Sequence, residues 1–356
     1  MRILVYEFAS GGGLAGRDLP ASLAREGAAM RAALVEDLAA TGCARIVTTA
    51  DARAADRLPP DVEVAVLPAG DRAREAALGA LIAAADGVWL IAPESDGCLE
   101  QLAVMVEQQG RTLFGSSAAA IACASDKARL PARLACAGVP HPITFALGRD
   151  DDPRPVADAV GYPIVAKPAR GAGSHGVGLA ATARDLERAV AEARRATPDH
   201  AIVLQQYIRG AAASVSLLAD GRDAVALALN TQTFGSPPPF GYRGGETPFA
   251  HPLAPRALAA AVEACGALPG LRGYVGVDVV LTDAEVFVIE VNPRLTTAYL
   301  GLRAAFDENL ATLALAACGG TLPAAPRARR RVRFSASGDV TVTDALAAQV
   351  FGSALG

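Results

Sequence analysis

The chain has 356 residues, of which 52% are hydrophobic, 20% charged and only 5% aromatic, and it carries a net charge of −4. That profile excludes a disordered, collagenous or coiled-coil protein, and the slight negative charge gives no general drive toward nucleic acid. The length predicts two to three domains, and 80 alanines account for the apolar excess and predict abundant, closely packed helices. In chain order, residues 2–8 read as a buried strand that runs into Ser10-Gly11-Gly12-Gly13, and a helix is predicted over 19–40. Strands are predicted at 45–49, 62–67, 87–92 and 112–114, with helices at 75–85 and 99–109 between them. Short strands alternating with helices predict βαβ units and a parallel sheet, whose ligands sit beyond the carboxyl ends of the strands. The stretches 7–13 and 94–97 therefore stand at the rim of a candidate pocket.

Helices are expected over 117–124 and on to Ala137, where Gly138-Val139-Pro140 stops the second. The charged stretch 149–155 reads as a solvated linker. A strand at 161–168 then enters Arg170-Gly171-Ala172-Gly173-Ser174-His175-Gly176-Val177-Gly178, too rich in glycine for a strand or helix interior. An amphipathic helix at 185–195 precedes strands at 201–207, 214–218 and 224–230, and the proline-rich run 235–241 reads as a rigid irregular loop. After a helix at 255–268, segments 273–281 and 285–291 read as a hairpin. Residues 297–318 are read as mostly helical, and 327–343 as a last hairpin turning at Ser337-Gly338-Asp339.

No run of 18 apolar residues predicts a membrane span, and the apolar start of the chain is too short for a signal peptide. Cys43, Cys98, Cys123, Cys136, Cys265 and Cys318 form no C-x-x-C pair and no metal-ligand spacing, which predicts free thiols in a reducing cytoplasm. The stretch Ser-Gly-Gly-Gly-Leu-Ala-Gly from Ser10 is not a G-x-G-x-x-G fingerprint and reads as a tight turn.

Of 33 basic residues, only Lys127 and Lys167 are lysines; the other 31 are arginine. Lysine is a compact point charge that arginine does not replace where it must sit on a phosphate. Asparagine is also scarce, occurring only at Asn230, Asn292 and Asn309. The hairpin brings Asp278 on one strand near Glu290 and Asn292 on the next, and residues two apart on a strand share a face. Three oxygen donors converging in an apolar hairpin suit a hard divalent cation, and Arg294, two residues on, points at the same anion. The rival reading, two acids at exposed strand positions, fits the hydrophobic flanks poorly. The glycine-rich segment after Lys167 offers backbone N–H groups to phosphate, but the lysine precedes the glycines, so it is no P-loop, and no kinase H-R-D or D-F-G run occurs.

From about residue 2 to about residue 315 this order resembles the ATP-grasp superfamily: a lysine before a small domain, a strand-lysine-Gly-rich loop, an adenine strand, then Asp and Glu-x-Asn. The resemblance implies an α/β protein of the ATP-grasp fold, divided into an N-terminal parallel-sheet (pre-ATP-grasp) domain 1–118, a small subdomain 119–202 with the Gly-rich loop, and a subdomain 203–356 with the metal site. It implies ATP and Mg2+ (or Mn2+) as cofactors. Lys127, Lys167, Gly171, Gly173, Ser174, His175 and Gly176 would face the phosphates, although His175 reads equally as a cap of the turn. Gln205, Gln206, Tyr207 and Ile208 would hold adenine; the superfamily usually has Glu-Glu-Tyr-Ile-x-Gly here, and Ala211 to Ala213 stand where a ribose-binding Glu is common. Asp278, Glu290 and Asn292 would hold the metal, and Arg294 with Lys167 would act in catalysis.

Three stretches narrow the resemblance to ATP-grasp ligases that join L-glutamate to tyramine or, in a bacterial counterpart, to tyrosine, in methanofuran- and methylofuran-type cofactor biosynthesis. They contain Glu7, Ser10 and Gly11; Glu94; and Asn230, Gln232, Arg243 and Gly244, all expected at the substrates. The implied reaction is amide formation between an amino acid and an amine through an acyl phosphate, in the cytoplasm, with no nucleic-acid or membrane partner; a homodimer is compatible with it. Another peptide, dipeptide or glutamate-tail ligase is the neighbouring alternative, and a non-catalytic ATP-binding protein the alternative from another class.

Overall fold

The computed structural model describes residues 1–54, 58–171, 173, 175–235 and 241–346. Strands β1 (Arg2–Glu7), β2 (Arg45–Ala50), β3 (Glu63–Val66), β4 (Gly87–Ile91) and β5 (Thr112–Leu113) form a parallel sheet in the order β3-β2-β1-β4-β5. Its strands are nearly continuous apolar runs because both faces are covered. Leu4, Tyr6, Val88 and Leu90 pack toward α2 (Asp71–Ala83) and α3 (Cys98–Gln108). Ile3, Val5 and Trp89 share the opposite core with α1 (Ala21–Ala40).

The second sheet is antiparallel: β6 (Thr144–Leu147), β7 (Ile164–Pro168), β8 (Gly178–Ala180) and β9 (Ile202–Gln206), ordered β6-β9-β7-β8. Ile164, Ala166, Ile202 and Leu204 of one face pack on α6 (Pro153–Val160) and α7 (Leu186–Arg195). By alternation, Val165, Lys167, Val203 and Gln205 occupy the other face.

The third sheet, β11-β10-β14-β15, is built from β10 (Ala211–Asp220), β11 (Ala224–Thr231), β14 (Arg272–Leu281) and β15 (Val286–Asn292). Val275, Val277 and Val279 pack with α8 (Ala254–Gly266), α4 (Ala118–Ser125) and α5 (Leu130–Cys136). The opposite face begins in the core with Tyr274, against α9 (Ala298–Ala305) and α10 (Leu310–Cys318). The same apolar cluster includes Ile3 and Val5, so the N-terminal sheet and the carboxylate-bearing sheet share one core.

A fourth sheet joins β12 (Thr233–Phe234), β13 (Tyr242–Thr247), β16 (Arg330–Ser335) and β17 (Val340–Ala345). The last hairpin thus pairs with residues 242–247, for which the sequence predicts no element; Gly244, Gly245 and the charges around them disguise a strand whose partner lies nearly a hundred residues on. Two further corrections follow from capping. The charged linker contains helix α6, because Asp152 accepts from the Arg154 amide and Pro153 occupies the first turn. The long helical stretch is two helices: Phe306 is extended, and Asn309 starts α10 by accepting from the Thr312 amide. The glycine run after β1 is a single tight turn at 9–13, with Gly12 at φ 95°. Of the proline-rich loop, residues 236–240 lie outside the described residues; Gly235 donates to the Gly241 carbonyl at 2.9 Å.

Phe334 of β16 is only 3% exposed, and a Cβ on Gly301 would come within 2.4 Å of its ring. The ring therefore locks the fourth sheet onto α9. Phe334→Ala is expected to lower unfolding free energy by about 3–5 kcal/mol, read from urea denaturation; a loss under about 1 kcal/mol would show that the last hairpin is not part of the cooperative core.

Candidate functional site

Antiparallel pairing lays four polar residues in one row across the third sheet. Asn230 stands opposite Ser214, Ser214 opposite Asp278, and Asp278 opposite Glu290. Directly opposed residues share a face. Asn292 lies opposite Gly276 on the same face, one pleat along. The register shifts after Asp278, which re-aims Glu290 and Asn292 relative to the hairpin's apolar half. Gln232 Nε2 donates to Asp278 Oδ1 at 2.8 Å and fixes that carboxylate.

The second sheet presents its lysine to this row. Lys127, just beyond α4, places Nζ 3.2 Å from Glu290 Oε2 and donates to the Gly171 carbonyl at 2.8 Å. Its own amide donates to the Ala169 carbonyl at 2.9 Å. Burial pushes the Lys167 ammonium down to about 8; Glu290 resists that fall and Lys127 adds to it. Burial would raise Glu290, but Lys127 and Lys167 overcome it and hold the carboxyl down at about 2. Asp278 goes the other way: burial, and then the charge of Glu290, raise it well above the ordinary range. Two carboxylates side by side, one without a lysine of its own, form a site short of positive charge.

The donor set fits a nucleotide-bound divalent cation. Two carboxylates and an amide are all hard ligands, and Mg2+ takes one or two carboxylates plus phosphate oxygens. Among the described residues no group of three or more His, Cys, Asp and Glu gathers to hold a metal unaided.

The glycine-rich segment hangs from β7. Gly173 and Gly176 have φ of 69° and 70°, and a Cβ on Gly176 would approach Ala196 to 2.3 Å. His175 is exposed; Ser174 lies outside the described residues. Arg170, which sequence reasoning missed, ties the root of the segment to Glu100 at 3.4 Å and to Asp126 at 3.7 Å. On β9, Gln205 Nε2 donates to Thr144 Oγ1 at 2.8 Å, and Gln206 Oε1 accepts from the Ile143 amide at 3.4 Å. Tyr207 is exposed at the strand's end, and Ile208 is half-buried beside it.

Arg294 is held in a fork by Glu94, Nε to Oε1 at 2.9 Å and Nη2 to Oε2 at 3.0 Å. Burial opposes its charge, and Glu94 more than restores it. An acid of the N-terminal sheet thus orients an arginine of the carboxylate hairpin across 200 residues. Glu7, Ser10 and Gly11 are buried instead: the Glu7 carboxylate accepts from the amides of Ala9 and Ser10 and from Ser10 Oγ, so it fastens its own turn. Buried Arg31 donates to the carbonyls of Ser10 and Thr49 below that turn.

Asn230 is fully buried and donates to the Ser214 carbonyl at 3.1 Å and to Ser216 Oγ at 3.0 Å. Arg243 is exposed on β13, and Gly244, at φ 129°, lets the Phe334 carbonyl approach. Glu246 is taken by Arg331 and Arg333, at 3.7 Å each, and not by Arg243. Three further groups receive no role from the sequence. Tyr274 donates to Ser216 Oγ at 2.8 Å and lies 3.1 Å from Thr296 Oγ1. Tyr242 is kept protonated by burial and by the charges of Asp278 and Glu26. Glu26 accepts from Thr297 Oγ1 at 2.5 Å.

Residues 124–298 match the ATP-grasp domain family, and residues 44–121 match the pre ATP-grasp 3 domain family. Tyramine–L-glutamate ligases of Methanocaldococcus fervens and Methanocaldococcus jannaschii are 38% and 37% identical to this chain over 105 residues. That stretch is 30% of this chain and about a third of each relative, 34% and 33%. A crystal structure assigned to the ATP-grasp superfamily, from Archaeoglobus fulgidus, superposes at a TM-score of 0.68 with 26% identity, over 94% of this chain and 92% of that one. An L-amino acid ligase from Bacillus licheniformis shares the fold at a TM-score of 0.66 and 18% identity, over 93% of this chain and 78% of that one.

The two carboxylates are expected to respond oppositely to neutralisation. Asp278 titrates higher folded than unfolded, so above its unfolded value its charge costs stability; Asp278→Asn removes that cost and should leave the nucleotide-free melting temperature unchanged or raised at pH 7. Glu290 titrates at about 2 folded against 4.5 unfolded, so its contribution is present above 4.5 and is lost as pH falls toward 2. Glu290→Gln should lower stability at pH 7 by about 1–3 kcal/mol. Calorimetric melting checks both, and equal effects would show that the lysines do not discriminate between the two acids.

Proposed function

The chain belongs to the ATP-grasp superfamily, and from that premise we propose that it is an ATP- and Mg2+-dependent carboxylate–amine ligase that joins L-glutamate to tyrosine or tyramine. The single observation that carries the ligase reading is the meeting of Lys127 and Lys167 with the Asp278–Glu290 pair, two cations and two acids drawn from separate parts of the fold around one spot. Such a site suits phosphoryl transfer, where positioning and charge neutralisation do most of the work.

In this reading a substrate carboxylate takes the terminal phosphoryl group of ATP, giving an acyl phosphate and ADP. The substrate amine then attacks the acyl carbon, phosphate leaves, and the amine proton passes to a base. Mg2+, bound with the nucleotide, supplies positive charge against the phosphate oxygens. Asp278, Glu290 and Asn292 would hold it, and Lys127 and Lys167 would hold the phosphates under the glycine-rich segment. Lys167 titrating near 8 keeps most of its charge at pH 7 and gains more when anionic phosphate arrives. Gln205 to Ile208 would line the adenine end. Arg294 donates two N–H groups to Glu94 and one, from Nη1 at 3.2 Å, to the Leu295 carbonyl. Two of its five N–H groups remain for the transferring phosphoryl group and the oxyanion that follows.

The substrate pair rests on the kinship of one stretch to the two tyramine–L-glutamate ligases and on the chemistry of β13. Arg243 is a forked donor with no acid in ion-pair reach among the described residues, and a substrate carboxylate would complete it.

ADP release measured with L-glutamate plus tyrosine, tyramine and other amines tests the reading: wild type should release ADP only when both an acid and an amine are present. Lys127→Ala and Lys167→Ala should each cut turnover by at least about a hundredfold with the melting curve still cooperative. ATP binding without any acid-plus-amine stimulation would instead mark a non-catalytic nucleotide-binding protein. Arg243→Ala should raise KM for one amino-acid substrate about tenfold or more and leave KM for ATP unchanged. Equal rises for both would mean that the β12–β13 edge, not a contact, was lost.

A further inference from the structure

Glu26 lies on α1, the helix that packs on the N-terminal sheet, and none of the motifs above includes it. It is half-buried, and its carboxylate is aimed by one bond: Thr297 Oγ1 donates to Oε1 at 2.5 Å. Thr297 is itself buried and stands three residues after Arg294, at the start of α9. The charge of Glu26 is felt at the Tyr242 hydroxyl of β13. Its bond to Thr297 therefore sets Glu26 beside the stretch of chain that carries Arg294 into α9. At the phosphoryl-transfer site Glu94 is paired by Arg294 and Glu290 by Lys127, and Asp278 accepts from the amide of Gln232. Glu26 has no Lys or Arg within ion-pair distance among the described residues, and its Oε2 has no hydrogen-bond partner among them. A half-buried carboxylate fixed by a hydrogen bond and left without a cation is completed by a cationic ligand group. Tyr242, on which that charge acts, meets Phe234 edge to face at 6.0 Å, and the two rings offer an apolar surface.

We propose that Glu26 is the receptor for a substrate ammonium group, held in place by Thr297. The inference rests on the ligase reading for its substrates, since both L-glutamate and tyrosine or tyramine carry that group. The chemical class it selects is a primary ammonium compound, with an aromatic side chain where the rings are engaged. Glu26 is a specificity-determining residue in this role: it discriminates the ammonium compound from the same skeleton without nitrogen.

Calorimetric titration in the presence of Mg2+ and a non-hydrolysable ATP analogue tests it, with L-glutamate, L-tyrosine and tyramine as probes and their deaminated counterparts, glutarate, 3-(4-hydroxyphenyl)propionate and 4-ethylphenol, as controls. Glu26→Gln keeps the shape and removes the charge. It should weaken at least one ammonium probe by about tenfold or more, while its deaminated control and the ATP analogue bind as in wild type. Thr297→Val keeps the charge but frees it, and should weaken the same probe to a smaller extent; it also carries the test if Glu26→Gln does not fold. Unchanged affinity for every ammonium probe in Glu26→Gln overturns the proposal, as does a loss shared equally by the deaminated controls, or a wild type that binds no ammonium probe. The ligase reading is judged separately by ADP release: wild type that binds an ammonium compound through Glu26 yet releases no ADP would leave the receptor standing and remove the ligase.

Discussion

Lys127 is the contact on which the site's geometry depends. One ammonium group bonds the Gly171 carbonyl at the head of the glycine-rich segment and pairs with Glu290 on the carboxylate hairpin. Two sheets that share no strand are thereby brought face to face at one nitrogen. Arginine does not serve here, because a planar fork cannot converge on a carbonyl and a carboxylate from one compact point. The same ammonium decides how the acids divide their protons, since its charge, with that of Lys167, lets Glu290 remain ionised at the expense of Asp278. An arriving cation changes this balance in one direction, by relieving the repulsion between the two acids.

The third sheet supplies a rigid base for that chemistry. One face is a continuous valine-rich surface against α8, and the other carries Asn230, Ser214, Asp278 and Glu290 in one row. Buried polar rows hold only when their members are bonded, and here Ser214, Ser216, Tyr274 and Gln232 provide the bonds. The carboxylates are therefore fixed by strand register rather than by loops, the more accurate way to hold charged groups.

What the sequence revealed follows from how local each signal is. The alternation of strands and helices up to residue 113 and the hairpin around Asp278 and Glu290 are local patterns, and the fold contains them. Lys127 and Lys167 stood out by composition alone, because an arginine-rich chain kept them. Helix α6 and strand β13 escaped for opposite reasons. The first is a short capped helix hidden in a charge run. The second is a glycine-bearing strand whose partner, β16, lies far along the chain. Arg170, Tyr242, Thr297 and Glu26 receive no role from the sequence because each acts through a contact between separate elements, and periodicity carries no record of such contacts.

Glu7 and Glu94 show how far topology alone reaches. Both stand at the carboxyl ends of neighbouring parallel strands, both are nearly fully buried, and both lie where a parallel sheet places its ligands. Their uses diverge through what comes next in the chain. After β1 the glycine turn curls back so that the amides of Ala9 and Ser10 meet the Glu7 carboxylate, and Gly27 leaves room for it: a Cβ there would come within 2.5 Å of its carboxyl atoms. After β4 the chain runs through Asp96 and Gly97, both at positive φ, into α3, so no amide turns back and Glu94 extends across to Arg294. The first acid builds the floor on which α1 rests. The second reaches over the shared core to orient a cation in the carboxylate hairpin. A strand terminus thus sets where an acid stands, and the handedness of the next few residues sets whether it serves the fold or the site.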